Sequence, residues 1–391
     1  MKANILIDKI RNKINQVFFQ KNIFYHRYHY TFRPSKKVTI YPIKNIKTEI
    51  FEIYDFEFDR INKEIGKNKP KTIGVQIPEG LRSLSFEISN LLHEKYNSDI
   101  YISLEPCFGA CDIKYNHFKE LGISTIIHFG NVKIPNLVLP KNVKVIFVPL
   151  YIKSNPIKMI EIADKYLRER HIKKLGLVSS IQMIKNIKLI EEELKKKGFQ
   201  VFIGKGNSRV SQEGHVLGCN SSSAISIMKY VDVFIMFEDG SFHAKSVSLS
   251  TQKDVICFDP LLETVFYYSY KELNKIAIEE ASINLKKGGH INNIGILVSS
   301  KPGQNRSYLL KKLIKLLTRY KVSILTSDYL DINTINKTNY DLIISTICPR
   351  VTIDERSQFN IPILTIPEAI TFFPKKSKTK KLRHFVFDQI N

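Results

Sequence analysis

The chain has 391 residues, 43% hydrophobic and 25% charged, and its 60 Lys/Arg against 37 Asp/Glu give a formal charge of +23. That length has room for more than one domain, and the composition is ordinary for a globular protein. No apolar run approaches the roughly 18–20 residues of a spanning helix and the charge-punctuated start lacks an apolar h-region, so a cytoplasmic protein without a membrane anchor or secretory signal is expected.

Residues 1–46 carry ten Lys/Arg against Asp8 alone, with Phe18, Phe19, Tyr25, Tyr28 and Tyr30 among them. They read as a basic N-terminal extension. Such charge steers a protein towards acidic partners, RNA included, or is a solvated lysine-rich surface. No RNA-binding module motif is visible, so direct nucleic-acid binding is not expected.

Past the extension, short apolar runs recur with the same punctuation. The first set is TIGVQIP (72–78), DIYISL (99–104), STIIHFG (124–130) and VKVIFVP (143–149). The second is KLGLVSS (174–180), FQVFIG (199–204), VDVFIMF (231–237) and DVICFDP (254–260). The third is NIGILVSS (293–300), KVSILTS (321–327), YDLIIST (340–346) and IPILTIP (361–367). Runs this apolar, closed by Gly, Pro or Ser, predict strands buried on both faces of a parallel sheet. Helical spacing follows the first run of each set, from Leu81, Ile184 and Arg306, and the second helix stops at Gly198. Gly74, Gly176 and Gly295 hold the same place in the opening strand of each set. The chain is therefore read as three α/β modules from one ancestral unit, spanning 47–155, 156–285 and 286–370. A basic tail, 371–391, completes it.

The five cysteines, an odd number, argue against a disulfide framework. Ligands gather beyond the carboxyl ends of parallel strands, and that is where most of the cysteines fall. Cys107 and Cys111 (EPCFGACD) follow the second strand of module one, Cys219 (GHVLGCN) follows the second strand of module two, and Cys348 (CPRVTIDE) follows the third strand of module three. Cys257 lies within a strand and reads as a packed thiol. If the modules surround a common axis, three thiolates can meet. Zinc would want a fourth ligand, whereas a cubane takes three thiolates and keeps one iron open. Unrelated loop cysteines are the alternative on spacing alone.

At these motifs the sequence resembles the diphthamide synthase family: VQIPEGL (75–81), EPCFGACD (105–112), HFG (128–130), GHVLGCN (214–220), DGSFH (239–243), KPGQ (301–304) and CPRVTID (348–354). The resemblance implies three Rossmann-like modules with parallel sheets in pseudo-threefold arrangement around a central 4Fe–4S cluster. It implies S-adenosylmethionine as co-substrate and a homodimer. The implied reaction is radical transfer of a 3-amino-3-carboxypropyl group to C2 of a histidine imidazole of translation elongation factor 2, the first step of diphthamide biosynthesis. The electron donor is left unidentified.

Carried over, the metal ligands are Cys111, Cys219 and Cys348, with Cys107 auxiliary or simply buried. The implied cofactor-binding residues are Gln76, Glu79, Gly80, His128, Gly130, Asp239, Gly240, His243, Arg350 and Asp354. Arg350 would pair with the methionine carboxylate, or with Asp354. Glu79 would cap the helix near Leu81 or line the pocket beside Gln76. Gly80 and Gly130 would admit a ligand to the backbone or simply make turns. His243 would donate to the cofactor or the cluster sulfides, or serve as a satisfied structural histidine. Two positions depart from the family pattern: Asn131 stands for a second histidine and Ala244 for a proline. A quinolinate synthase, also a three-cysteine enzyme of three repeats, and a non-catalytic partner subunit are the competing readings.

Overall fold

The computed structural model describes residues 46–66, 70–238, 241–287, 289–373 and 385–390. A helix (Ile46–Ile53) leads into β1 (Tyr54–Asp55). The first sheet holds β2 (Thr72–Gln76), β3 (Asp99–Ile102), β4 (Thr125–Phe129) and β5 (Lys144–Val148). β6 (Tyr151–Ile152) pairs antiparallel with β1. The second sheet holds β7 (Lys174–Leu177), β8 (Gln200–Phe202), β9 (Val233–Met236), β10 (Val255–Asp259) and β11 (Thr264–Tyr268). The third holds β12 (Asn293–Val298), β13 (Lys321–Thr326), β14 (Leu342–Ser345) and β15 (Ile363–Thr365).

The three sheets share one topology. Their orders are β3-β2-β4-β5, β8-β7-β9-β10-β11 and β13-β12-β14-β15, so each module's second strand lies at an edge and its first strand inside. Every pairing within these sheets is parallel except β10 with β11. All twelve apolar runs form strands where the sequence placed them. Burial on both faces does not extend to the second strands. β3 and β13 alternate or stay open, with Tyr101 43% and Ile324 51% exposed, whereas β15 at the opposite edge of the third sheet is buried at every residue. The inner strands β9 and β14 are buried at every residue.

A packing reason underlies the recurrent glycine. A Cβ on Gly74 would lie 2.7 Å from the Phe118 ring, one on Gly176 2.5 Å from Phe234, and one on Gly295 2.7 Å from both Ile343 and Leu325. The opening strand of each module thus yields its own side-chain volume to a large neighbour, and burying such a neighbour contributes about 1.5–3 kcal/mol. Each predicted helix after the first strand begins with a 3₁₀ turn, at Glu79–Leu84, Ile184–Asn186 and Ser307–Leu309, before the α-helices Ser85–Tyr96, Ile187–Lys196 and Leu310–Leu316.

The modules are less separate than the proposed boundaries suggest. Helix Tyr270–Lys286 crosses the boundary at 285, and its Asn284 donates from Nδ2 to the Ile363 carbonyl (2.8 Å) and accepts from the Ile363 amide (3.3 Å) in β15. Helix Ile366–Phe372 crosses the boundary at 370. The reading of 371–391 as only a basic tail needs correction. Phe385 and Phe387 are buried against Leu249, and Asp388 is 3% exposed. The basic extension lies outside the described residues up to 45, as do residues 374–384 of the tail.

Candidate functional site

The loop after β3 is shaped from within its own module. Gln76, at the end of β2, donates from Nε2 to the Asp112 carbonyl (3.0 Å) and accepts at Oε1 from the Lys114 amide (3.0 Å). His128 lies beside it in β4, bonded through Nδ1 to the same Oε1 (3.4 Å) and through Nε2 to Asn131 Nδ2 (3.1 Å). Burial pushes the His128 pKa down to about 4, so the ring is neutral. Cys107 Sγ sits 3.9 Å from His128 Nε2, and its burial raises the thiol to about 12. Gln76, expected to line the cofactor pocket, holds this loop through its amide, and His128 is held between Gln76 and Asn131.

Cys111 turns the other way, into the third module. Gln304 donates from Nε2 to its Sγ (3.4 Å), and Gly303 packs so closely that a Cβ there would lie 2.4 Å from both Cys111 Cα and Cβ. Burial, and next the neighbouring Cys219, raise the Cys111 thiol to about 11, while Arg209 and Gln304 pull it back. Beside it, Asp112 is fully buried, 2.6 Å from Lys301 Nζ and 3.3 Å from Lys114 Nζ, and Lys114 also reaches Glu105 at 2.6 Å. This buried charge cluster joins EPCFGACD to KPGQ. Breaking such a network by removing one partner costs about 3–5 kcal/mol.

Cys219 stands at the tip of a tight hairpin. Leu217 and Asn220 exchange backbone hydrogen bonds of 2.9 and 3.0 Å, and Gly218 lies flat against Phe242, whose ring a Cβ would approach to 2.1 Å. Asn220 is fully buried and donates from Nδ2 to Asn207 Oδ1 (3.2 Å) and to the Ile390 carbonyl (2.8 Å). From the same stretch Arg209 donates to the Gly303 carbonyl (2.7 Å), so the second module grips the residue that packs on Cys111.

Cys348 follows β14 and directly precedes the helix Pro349–Asp354, with proline at the first helical position. It is 8% exposed and shares a buried cluster with Leu297 and Phe359, against which Phe108 of the first module packs. The carbonyls of Thr346 and Ile347 accept from Arg306 at 2.7 and 2.9 Å. Cys257 lies in β10, 1% exposed among apolar side chains, as expected of a packed thiol. All five cysteines are unbridged.

The remaining predicted residues divide. Arg350 pairs with Asp354 (3.6 Å) and lies 5.1 Å over the Phe242 ring, with about half its side chain exposed. His243 faces Glu238 at 3.8 Å, and burial, then Arg350, lower its pKa to about 4. Glu79 is exposed, pairs with Arg82 (2.5 Å) and makes no side-chain cap, so the expected capping role does not hold. Gly80 is exposed in that 3₁₀ turn. Gly130 adopts φ +82° with Pro78 2.4 Å from where a Cβ would be, which makes it a turn glycine set by protein packing. Asp239 and Gly240 lie outside the described residues. Sequence reasoning missed Arg209, Gly303, Gln304 and Arg306. Only the KPGQ match offered a signal, and that covers two of them.

Among the described residues no three His, Cys, Asp or Glu side chains close around one ion. A cubane places each thiolate on a different iron, so it does not need such a closed set. The donors suit that group: cysteines from three loops, a glycine cradle at Cys111, and Gln304 and Arg209 to favour thiolate. Among the described residues no helix is long and apolar enough to cross a membrane.

Comparison with known proteins places these loops in context. Residues 77–383 match the family model of diphthamide synthesis proteins. A 2-(3-amino-3-carboxypropyl)histidine synthase of Pyrococcus horikoshii is 29% identical over 81% of this chain and 90% of its own. One of Methanocaldococcus jannaschii is 28% identical over 89% and 96%. Human 2-(3-amino-3-carboxypropyl)histidine synthase subunit 1 is 23% identical over 81% and 71%. The crystal structure of Dph2 from Pyrococcus horikoshii with a 4Fe–4S cluster superposes with a TM-score of 0.74 at 25% identity, covering 86% of this chain and 94% of that one.

Proposed function

The chain belongs to the diphthamide synthesis family, and from that premise we propose that it is a 2-(3-amino-3-carboxypropyl)histidine synthase acting in the first step of diphthamide biosynthesis. The observation that carries this reading is the interlock around Cys111. Gly303 and Gln304 of the third module enclose a first-module thiol whose pKa responds to Cys219 of the second. Cys111, Cys219 and Cys348 would hold a 4Fe–4S cluster, and a bound cluster supplies the electron that opens S-adenosylmethionine towards aminocarboxypropyl transfer.

The protein's own part is placement. Gln304 stabilises the Cys111 thiolate by donating to it, and Arg209 adds positive charge. The Asp112–Lys301–Lys114 cluster fixes the loop that carries Cys111. Arg350 and His243 flank Phe242, at 5.1 Å and 6.5 Å from its ring, on the helices Pro349–Asp354 and Ser241–Thr251. Arg350 can exchange its exposed Asp354 partner for the methionine carboxylate at small cost, since such a surface pair contributes roughly 0–1 kcal/mol. The acceptor is a histidine of translation elongation factor 2, the protein works in the cytoplasm as a homodimer, and positioning outweighs acid–base power in the transfer. The family match favours this reading over a quinolinate synthase.

The test is anaerobic reconstitution with iron and sulfide, then incubation with dithionite, S-adenosylmethionine and elongation factor 2. Mass spectrometry should find one aminocarboxypropyl adduct on a single histidine. A fully loaded cluster with unmodified substrate would reject the assignment.

A further inference from the structure

The segment Phe385–Ile390 lies just past the family-model match, which covers residues 77–383, and it touches two of the three cysteine loops. Asp388 accepts a bidentate pair from Arg306, Nη1 to Oδ1 at 2.8 Å and Nη2 to Oδ2 at 2.9 Å, with both residues 3% exposed. The same guanidinium donates from Nε and Nη2 to the carbonyls of Thr346 and Ile347, the two residues before Cys348. Two residues on, the Ile390 amide donates to the Cys219 carbonyl (2.8 Å) and its own carbonyl accepts from Asn220 (2.8 Å). Gln389 accepts from the Ser221 amide (2.6 Å) and donates to Ser250 Oγ (3.0 Å). Phe385 and Phe387 anchor the segment in a buried cluster with Leu249, and Phe387 meets Phe242 at 6.2 Å.

We propose that Phe385–Ile390 is a positioning clasp that sets the Cys219 hairpin and the Cys348 turn at one fixed spacing, with Asp388 as its key residue. Arg306 in the third module has four donor contacts, two to the clasp and two to the Cys348 turn, so one rigid planar group carries the clasp's position to that turn. The Ile390 and Asn220 bonds carry it to Cys219. With that spacing fixed before metal arrives, iron uptake needs little ordering of the protein. That these thiolates bind a cluster rests on the function proposed above. That the clasp orders their loops does not.

The variants Asp388→Asn and Gln389→Ala are compared with the parent full-length chain in two assays. In metal-free protein, alkylation of Cys219 by iodoacetamide is followed by mass spectrometry, with Cys257 as buried internal control. In reconstituted protein, iron per chain and the electron paramagnetic resonance signature of the reduced cluster are recorded. Asp388→Asn should raise Cys219 alkylation about tenfold, the scale of losing one charge-assisted hydrogen bond, while Cys257 stays unreactive. Iron per chain should fall and the resonance should broaden, with Asp388→Glu partly restoring both. Gln389→Ala should change Cys219 alkylation in the same direction, more weakly, and serves alone if Asp388→Asn does not fold. Cys219 reactivity equal to the parent's in every folded variant overturns the clasp. A parent that takes up no iron defeats the cluster reading instead, and the alkylation result still decides the clasp.

Discussion

Cys107 and Cys111 sit four positions apart in one loop, yet they belong to different environments. Cys107 looks back into its own sheet, against a neutral His128. Cys111 meets Gly303 and Gln304 from the third module and feels Cys219 from the second. Both thiols are buried and both have raised pKa values, so neither burial nor proton affinity separates them. What separates them is whether the neighbours come from one module or from three.

The largest effect should come from exchanging the two. Cys111→Ser should reduce iron per reconstituted chain and lower product formation by at least about a hundredfold, while Cys107→Ser keeps most of both. Equal losses in the two variants would dissolve the distinction. Next is Gly303→Ala. Its new methyl meets Cys111 Cα at 2.4 Å, and such overpacking costs about 1–3 kcal/mol. Urea unfolding should show that loss, and iron loading should fall with it. A Gly303→Ala chain with parental midpoint and loading would mean that the contact is slack.

The Cys107 side answers to acid. The His128 pKa falls from an unfolded value near 6.5 to about 4. Folding therefore favours the neutral ring, and that stability is fully present above about pH 6.5 and is lost as pH falls towards 4, to an extent of order 3 kcal/mol. The thermal midpoint should drop over that window, and His128→Gln should flatten the slope. His215, pushed down to about 3 by burial and then by His243, adds to the same trend. The smallest stability effect belongs to Arg350→Ala. Its pair with Asp354 is exposed, so stability should stay within about 0.5 kcal/mol while the KM for S-adenosylmethionine rises. A stability loss with unchanged KM would make Arg350 structural.

The sheets were legible because each strand carries its own signature of apolar residues and terminal glycine, proline or serine. The repeated glycine was legible too, although its cause, the volume of Phe118, Phe234, Ile343 and Leu325, required the packing. β11 was overlooked, though TVFYY is rich in β-branched and aromatic residues, because the repeat pattern had already supplied four strands. At the site, the cysteine-bearing loops could be read from position alone. Their supports could not, since Arg306 and Asp388 are 82 residues apart and Gln304 and Cys111 are 193 apart, with no local pattern joining them. Gln76 and His128 were located beside the site by a motif match, and the packing adds their hydrogen bonds to the Cys111 loop and Asn131.

The common strand order has a consequence for how the protein is made. Each sheet draws its strands from one continuous stretch of chain, so each can close over short loops as that stretch leaves the ribosome. The bonds from Asp388 and Ile390 to the Arg306 and Cys219 regions come only after all three sheets exist. A chain that has emerged through residue 372 therefore carries all three sheets around thiols whose final registration still awaits Asp388 and Ile390.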